Sequence, residues 1–176
     1  MRIMHISHTN INFDARIMKE LAAIREAFPK AVMMAIGAEL DITKQEGMKV
    51  LPYVQINTIP VKARKLAMLP KILRQIGTVL EMYVRMRTAV RNYQPDIIHA
   101  HDTTALFVAV TSRPENAKII YDAHELESDR NGLKLIQRLM VKAFEKSVWE
   151  HVEHLIVVGE EIGNWYAGNI GNKPTT

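Results

Sequence analysis

Short apolar runs of strand length alternate with longer segments of helical period along this chain, and that alternation leaves few folds open. The runs cover residues 2–7, 31–36, 50–59, 97–100, 118–121 and 154–158. Between the first two, Asp14 is placed to cap a helix reaching about residue 28, with Ile17, Leu21 and Ile24 on one face. A long helix is predicted over 70–93. Its apolar residues keep a spacing of three or four from Leu66 and Leu69 through Leu73, Ile76, Leu80, Tyr83, Met86, Val90 and Tyr93. At roughly 1.5 Å per residue it would be about 36 Å long, and Pro70 suits its first turn, where no N–H is needed. Further helices are predicted from about Thr104, over 133–151 and over 160–167. Strands separated by helices cannot pair as hairpins, so they run parallel with helices on both faces of the sheet. The fold class is therefore α/β, a Rossmann-like three-layer sandwich with a mainly parallel sheet. Residues 37–61 give the weakest signal, and 168–176 has no core-forming pattern.

A chain of 176 residues is long enough for one such domain and short for two. It has no cysteine, so disulfides and thiolate metal sites are excluded and a reducing, cytoplasmic setting is expected. The opening apolar run is interrupted by His5 and followed directly by polar residues, unlike a secretory leader. No run approaches the roughly 18 apolar residues of a membrane span. The net charge of +4 is unevenly spread. Lys62, Arg64, Lys65, Lys71, Arg74, Arg85, Arg87 and Arg91 stand against the single acid Glu81, a net +7 over 62–93. A basic stretch beside an apolar stripe suits an anionic membrane surface, or a core-packed helix with a solvated basic face. Base-stacking aromatics are sparse there beyond Tyr83 and Tyr93, which speaks against nucleic acid.

Open parallel sheets bind ligands outside the carboxyl ends of their strands. The first run ends in Ser7-His8-Thr9-Asn10, the run at 97–100 leads into His101-Asp102, and the run at 118–121 leads into Asp122-Ala123-His124-Glu125. His101 and His124 therefore read as ligand-facing. His5 and His99, inside strands, read as satisfied core histidines. Asp14 is open to two readings, helix cap or functional acid, while Arg16 reads as solvated, paired with an acid, or ligand-binding, and Asp122 as a possible cap of the turn after its strand. The loop over 7–13 has no glycine, which excludes a dinucleotide fingerprint. Neither a Walker-type loop nor a Gly-x-Ser-x-Gly elbow is present.

The segments Asp14-Ala-Arg-Ile-Met-Lys-Glu-Leu, Pro95-Asp-Ile-Ile-His-Ala-His-Asp102, Ile120-Tyr-Asp-Ala-His-Glu-Leu126 and Leu155-Ile-Val-Val-Gly-Glu-Glu-Ile162, in this order, resemble the N-terminal domain of family 4 glycosyltransferases, retaining enzymes of the GT-B fold. The resemblance implies that residues 1–168 form the acceptor-side domain and that 169–176 begin the linker to a C-terminal domain holding most of the sugar nucleotide. That second domain lies outside this chain, so the half alone is expected to be inactive. It further implies His124 as a catalytic residue beside the transferred sugar and Asp14 as orienting the acceptor hydroxyl. Arg16 would hold an anionic group, His101 and Asp102 would line the acceptor side, and Glu125 would join the substrate contacts. The chain departs from the family in two places. Thr9-Asn10-Ile11-Asn12-Phe13 replaces the usual glycine-rich loop, so phosphate contacts fall to Asn10, Asn12 or helix N–H groups. Gly159 stands where serine is common. No metal or cofactor is expected beyond the sugar-nucleotide substrate, with polysaccharide or glycolipid synthesis as the setting.

Other readings compete. His99-x-His101 with Asp102, His124 and Glu125 offers enough nitrogen and oxygen donors for a metal-dependent hydrolase. The same crevice could hold a sugar or nucleotide without turnover, and a sugar-nucleotide epimerase has a similar two-domain build.

Overall fold

The computed structural model describes residues 1–39, 53–66, 68, 70–124, 126 and 135–176. Six strands form one parallel sheet: β1 (Arg2–Ser7), β2 (Val32–Glu39), β3 (Val54–Pro60), β4 (Ile97–Ala100), β5 (Lys118–Asp122) and β6 (Val152–Ile156). Their order is β3-β2-β1-β4-β5-β6. Among the described residues the accompanying α-helices are α1 (Ala15–Ala27), α2 (Lys71–Tyr93), α3 (Thr103–Ser112), α4 (Leu135–Val148) and α5 (Glu160–Asn169). The chain leaves β1 in one direction to build β2 and β3 and returns to the other side for β4, so the strand order reverses between β1 and β4. That switch point opens a crevice at the carboxyl end of the sheet.

The period-two alternation of the strands sorts the core into two layers. Met4, Ile6, Ile98, Ala100, Ile119 and Tyr121 face the layer built with α2, α3, α4 and α5. Ile3, Met33, Ala35 and Val54 face α1, which buries Ile17, Met18 and Leu21 against them. Burial of such side chains contributes about 1.5–3 kcal/mol each. Two tyrosines tie the first layer to one carboxyl group: Glu145 Oε1 on α4 accepts from Tyr121 on β5 and Tyr166 on α5, each at 2.8 Å.

Most elements match the sequence reading. β2 runs three residues beyond the expected 31–36, and β6 sits two residues earlier than 154–158. The third run was expected at 50–59; its strand occupies Val54–Pro60, and residues 50–52 lie outside the described residues. The long helix begins at Lys71 with Pro70 as its N-cap, while Ala63–Lys65 upstream forms a separate 3-10 turn. Its apolar stripe is divided. Met82, Met86, Val90 and Tyr93 are buried, whereas Ile72, Leu73, Ile76, Val79 and Leu80 are between 51% and 70% exposed. The final stretch, which lacks a core pattern, is nevertheless held by backbone pairing. Leu155 N donates to Pro174 O at 2.9 Å and Thr176 N to Leu155 O at 3.1 Å, along the open edge of β6. Main-chain pairing needs no side-chain period, so residues read as the start of a linker extend the sheet's edge here.

One glycine shapes the approach to the crevice. A Cβ at Gly37, near the carboxyl end of β2, would lie 2.3 Å from Thr9 O and 3.0 Å from Ile11 N, where the β1–α1 loop crosses. Both contacts are backbone, so the loop itself would have to move. Gly37→Ala is expected to cost about 1–3 kcal/mol, a fall in Tm of roughly 2–12 °C, read by circular dichroism. A parent-like melting curve would show that the loop does not pass so close.

Candidate functional site

The crevice is assembled from the carboxyl ends of β1, β4 and β5 and the first turn of α1. Asp14 is the N-cap of α1, its Oδ1 accepting from Arg16 N at 3.0 Å and Ile17 N at 3.2 Å. Two residues on, the Arg16 guanidinium reaches back across the sheet edge. Nη1 lies 2.9 Å from Asp122 Oδ2, and Nη2 lies 3.7 Å from Asp14 Oδ2. Arg16 Nη1 makes no aligned hydrogen bond despite that short contact, so the link to Asp122 is an ion pair rather than a directed bond. One Asp14 oxygen thus caps the helix and the other faces Arg16.

Below the mouth lies a buried polar floor. Residues 5, 99 and 101 share the parity that faces α1, and parallel pairing sets His5 opposite His99. The imidazoles of His99 and His101 stack with centroids 4.1 Å apart, and His5 stacks on His101 at 5.2 Å. His5 Nδ1 and His101 Nε2 share a hydrogen bond of 2.9 Å, and His101 Nδ1 lies 3.2 Å from Asp122 Oδ2. Glu20, from the second turn of α1, brings Oε2 to 3.7 Å from Nδ1 of both His99 and His101. Burial disfavours charge on these rings. It pushes His5 down to about 4 and holds His99 and His101 well below the usual imidazole range, with neighbouring imidazoles and Arg16 adding to it. Burial also raises Glu20 to about 7, Asp122 adding to the effect and Arg16 opposing it. Asp122 is raised chiefly by burial, against the pull of Arg16 and His124.

Asp102 has the opposite parity and turns away from this floor. Its Oδ1 caps α3 by accepting from Ala105 N at 2.7 Å. Its Oδ2 accepts from His8 N at 2.9 Å and lies 2.9 Å from His8 Nδ1 and 3.3 Å from Ser7 Oγ. Burial would raise this carboxyl, yet the His8 ring and backbone together with the Ala105 N–H outweigh it and hold it below the ordinary range.

Arg16, Asp122, His101 and His124 thus converge. His124 is half-buried and close enough to influence the ionisation of both His101 and Asp122. Among the described residues its buried Nδ1 has no hydrogen-bond partner. His101 and Asp102 were expected to line the acceptor side; both are buried beneath the crevice, because α1 and α3 close over them. Asn10 turns its Oδ1 onto Asn12 N and Nδ2, each at 3.1 Å, to cap the 3-10 turn Ile11–Phe13. Asn12 itself is buried, with its Nδ2 donating to Asn10 Oδ1, so it is held within the loop. Glu125 lies outside the described residues. His8, Glu20 and Asp122 carry more of the geometry than the sequence reading assigned them. His8 follows directly on β1, but Glu20 is visible only once α1 is seen to pack over His99.

The set read as a metal-dependent hydrolase is therefore split: Asp102 faces α3, and the clustered donor atoms belong to His5, Glu20, His99 and His101. The description Glycosyltransferase Family 4 matches residues 44–176, and the chain belongs to that family. It is a glycosyltransferase domain with the fold of a GT-B half. No curated protein matches the sequence. Among solved structures, sucrose-phosphate synthase from Thermosynechococcus elongatus superposes with a TM-score of 0.69 at 14% identity, covering 100% of this chain and 47% of that one. The apo lipopolysaccharide outer core galactosyltransferase WaaB gives 0.58 at 13% identity, covering 96% and 42%. The UDP-GlcNAc 2-epimerase from Methanocaldococcus jannaschii gives 0.51 at 14% identity, covering 93% and 41%. The chain spans less than half the length of each of these three, and at such identities the likeness shows the fold alone.

The buried contacts of Asp102 generate a prediction. Asp102→Ala removes the α3 cap and strands the N–H groups of His8 and Ala105. A loss of about 1–3 kcal/mol is expected, measured by urea unfolding. A change below 0.5 kcal/mol would contradict the role as a structural anchor.

Proposed function

We propose that this domain is the acceptor-side half of a retaining glycosyltransferase that moves a sugar from a sugar nucleotide to an acceptor hydroxyl in polysaccharide or glycolipid synthesis. The observation that carries the reading is the His124 imidazole at the mouth of the crevice, with a buried nitrogen that has no partner among the described residues. Buried polar atoms without partners are uncommon, and a ligand hydroxyl is a natural occupant. His124 is assigned to the transferred sugar, where an imidazole can hydrogen-bond a hydroxyl or stabilise developing charge. Asp14, through the oxygen not used for capping, orients the acceptor hydroxyl, and Arg16 supplies a positive field held in place by Asp122. The leaving diphosphate is handled by a second domain, so this half alone turns over no substrate, and no cofactor is needed beyond the donor. In a polypeptide carrying both domains, His124→Ala is expected to lower kcat by at least two orders of magnitude while far-ultraviolet circular dichroism is unchanged. Turnover within threefold of the parent would remove His124 from the mechanism.

The acceptor, in this reading, is presented at the inner face of a membrane. The layer of α2, α3 and α4 is joined by ring contacts of Tyr83 with Phe107 and Phe107 with Phe144. It exposes Ile72, Leu73, Ile76, Val79 and Leu80 on α2 and Leu135, Ile136, Leu139 and Met140 on α4. Beside the α2 residues, Arg64, Lys71 and Arg74 with Gln75, Thr78 and Val79 line a hollow of about 680 Å³. Exposed apolar side chains next to a basic hollow suit a bilayer rich in anionic headgroups. No helix among the described residues is long and apolar enough to cross the membrane, so contact would be peripheral. The chain should co-sediment with vesicles containing phosphatidylglycerol and lose most of that binding in the Lys71→Glu, Arg74→Glu double variant or at 0.5 M salt. Absence of binding even at low ionic strength would remove the membrane from the proposal.

A further inference from the structure

We propose that Glu20, His99 and His101 form a buried site for one divalent transition-metal ion of the zinc type, with His5 orienting His101, and that the ion staples α1 to the centre of the sheet. The transferase reading does not use this group, and the inference does not depend on that reading.

The argument begins with donor geometry. Glu20 Oε2 stands 3.7 Å from His99 Nδ1 and 3.7 Å from His101 Nδ1. Zinc bonds of about 2.1 Å in tetrahedral geometry set neighbouring donors about 3.4 Å apart. Closing each of these two gaps therefore takes a movement of about 0.3 Å. The four residues place one donor atom each within 4.8 Å of the others. His5 completes the arrangement from behind. Binding would exchange the 3.2 Å contact of His101 Nδ1 with Asp122 Oδ2 for the ion; Nε2 then carries the proton and donates to His5 Nδ1 across 2.9 Å, which fixes tautomer and ring orientation.

Electrostatics points the same way. Among the described residues the carboxyls of Asp14 and Asp122 flank Arg16 and Glu20 adds a third beside the two imidazoles, so a cation bound there meets acidic side chains from both α1 and β5. Glu20 Oε2 is buried without a hydrogen bond among the described residues, a cost of about 1–3 kcal/mol for a polar atom and more for a charged one. A divalent cation supplies the missing partner. Two nitrogens with one carboxylate oxygen suit zinc, cobalt or nickel and not calcium or magnesium, which take oxygen donors. The role is structural. His99 and His101 are buried, and the Glu20 side chain is 25% exposed, so water can take the remaining coordination position.

The test uses the unmodified chain, prepared without a polyhistidine tag and stripped with chelator. Cobalt(II) is titrated in while visible absorption is followed, and zinc is then added. The expected result is ligand-field bands saturating at one cobalt per chain, bleached by zinc. Melting should also rise by roughly 5–10 °C with zinc at a hundredfold excess over Kd. Glu20→Gln should abolish both signals, and His154→Ala, on the exposed face of β6, should keep both. Absence of bands and of any Tm shift in the unmodified chain would overturn the proposal, as would equal cobalt binding by folded Glu20→Gln. Should that variant not fold, the unmodified chain decides alone.

Discussion

Parallel pairing of β1 with β4 is the constraint on which the other features of this domain depend. It places the reversal of strand order at the centre of the sheet, so the crevice opens there and the loops after both strands deliver their side chains to it. The same register puts His5 opposite His99, and the two-residue period then sends His101 to that face and Asp102 to the other. One residue of slip would exchange the two sides. The carboxylate that anchors α3 and the imidazole that floors the crevice are adjacent in sequence and opposite in role because of this parity alone.

Charge is organised around that centre by burial. Among the described residues Arg16 is the cation above the floor, balanced between Asp14 and Asp122, while desolvation disfavours charge on the imidazoles beneath. The arrangement holds the first turn of α1 against β4 and β5, which fixes Asp14 and the loop before it. Gly37 belongs to the same construction, since only a residue without a Cβ lets the β1–α1 loop lie directly on β2.

Away from the crevice, the helical layer is unequal. The second half of α2 is bound into the core through Met82, Met86, Val90 and Tyr93, and Glu145 joins α4 to β5 and α5 through two tyrosine hydroxyls. The first halves of α2 and α4 carry apolar residues outward beside basic ones. A stripe of constant period therefore serves two environments along one helix.

Alternation of strand and helix periods determined the fold class, the order of elements and the strand ends where chemistry would gather, because period and turn residues are local properties of the chain. The residues Asp14-Ala-Arg and Tyr121-Asp-Ala-His-Glu carried the family in the same local way. Only the tertiary structure decided which of those polar residues face the crevice. Asp102 and His101 sit at a strand end as expected, yet packing of α1 and α3 covers them. Glu20 and His5, unremarkable in sequence, enter the floor because β1 meets β4 and α1 crosses both. Such groupings depend on register between segments about 80 to 95 residues apart, and no local pattern encodes that pairing.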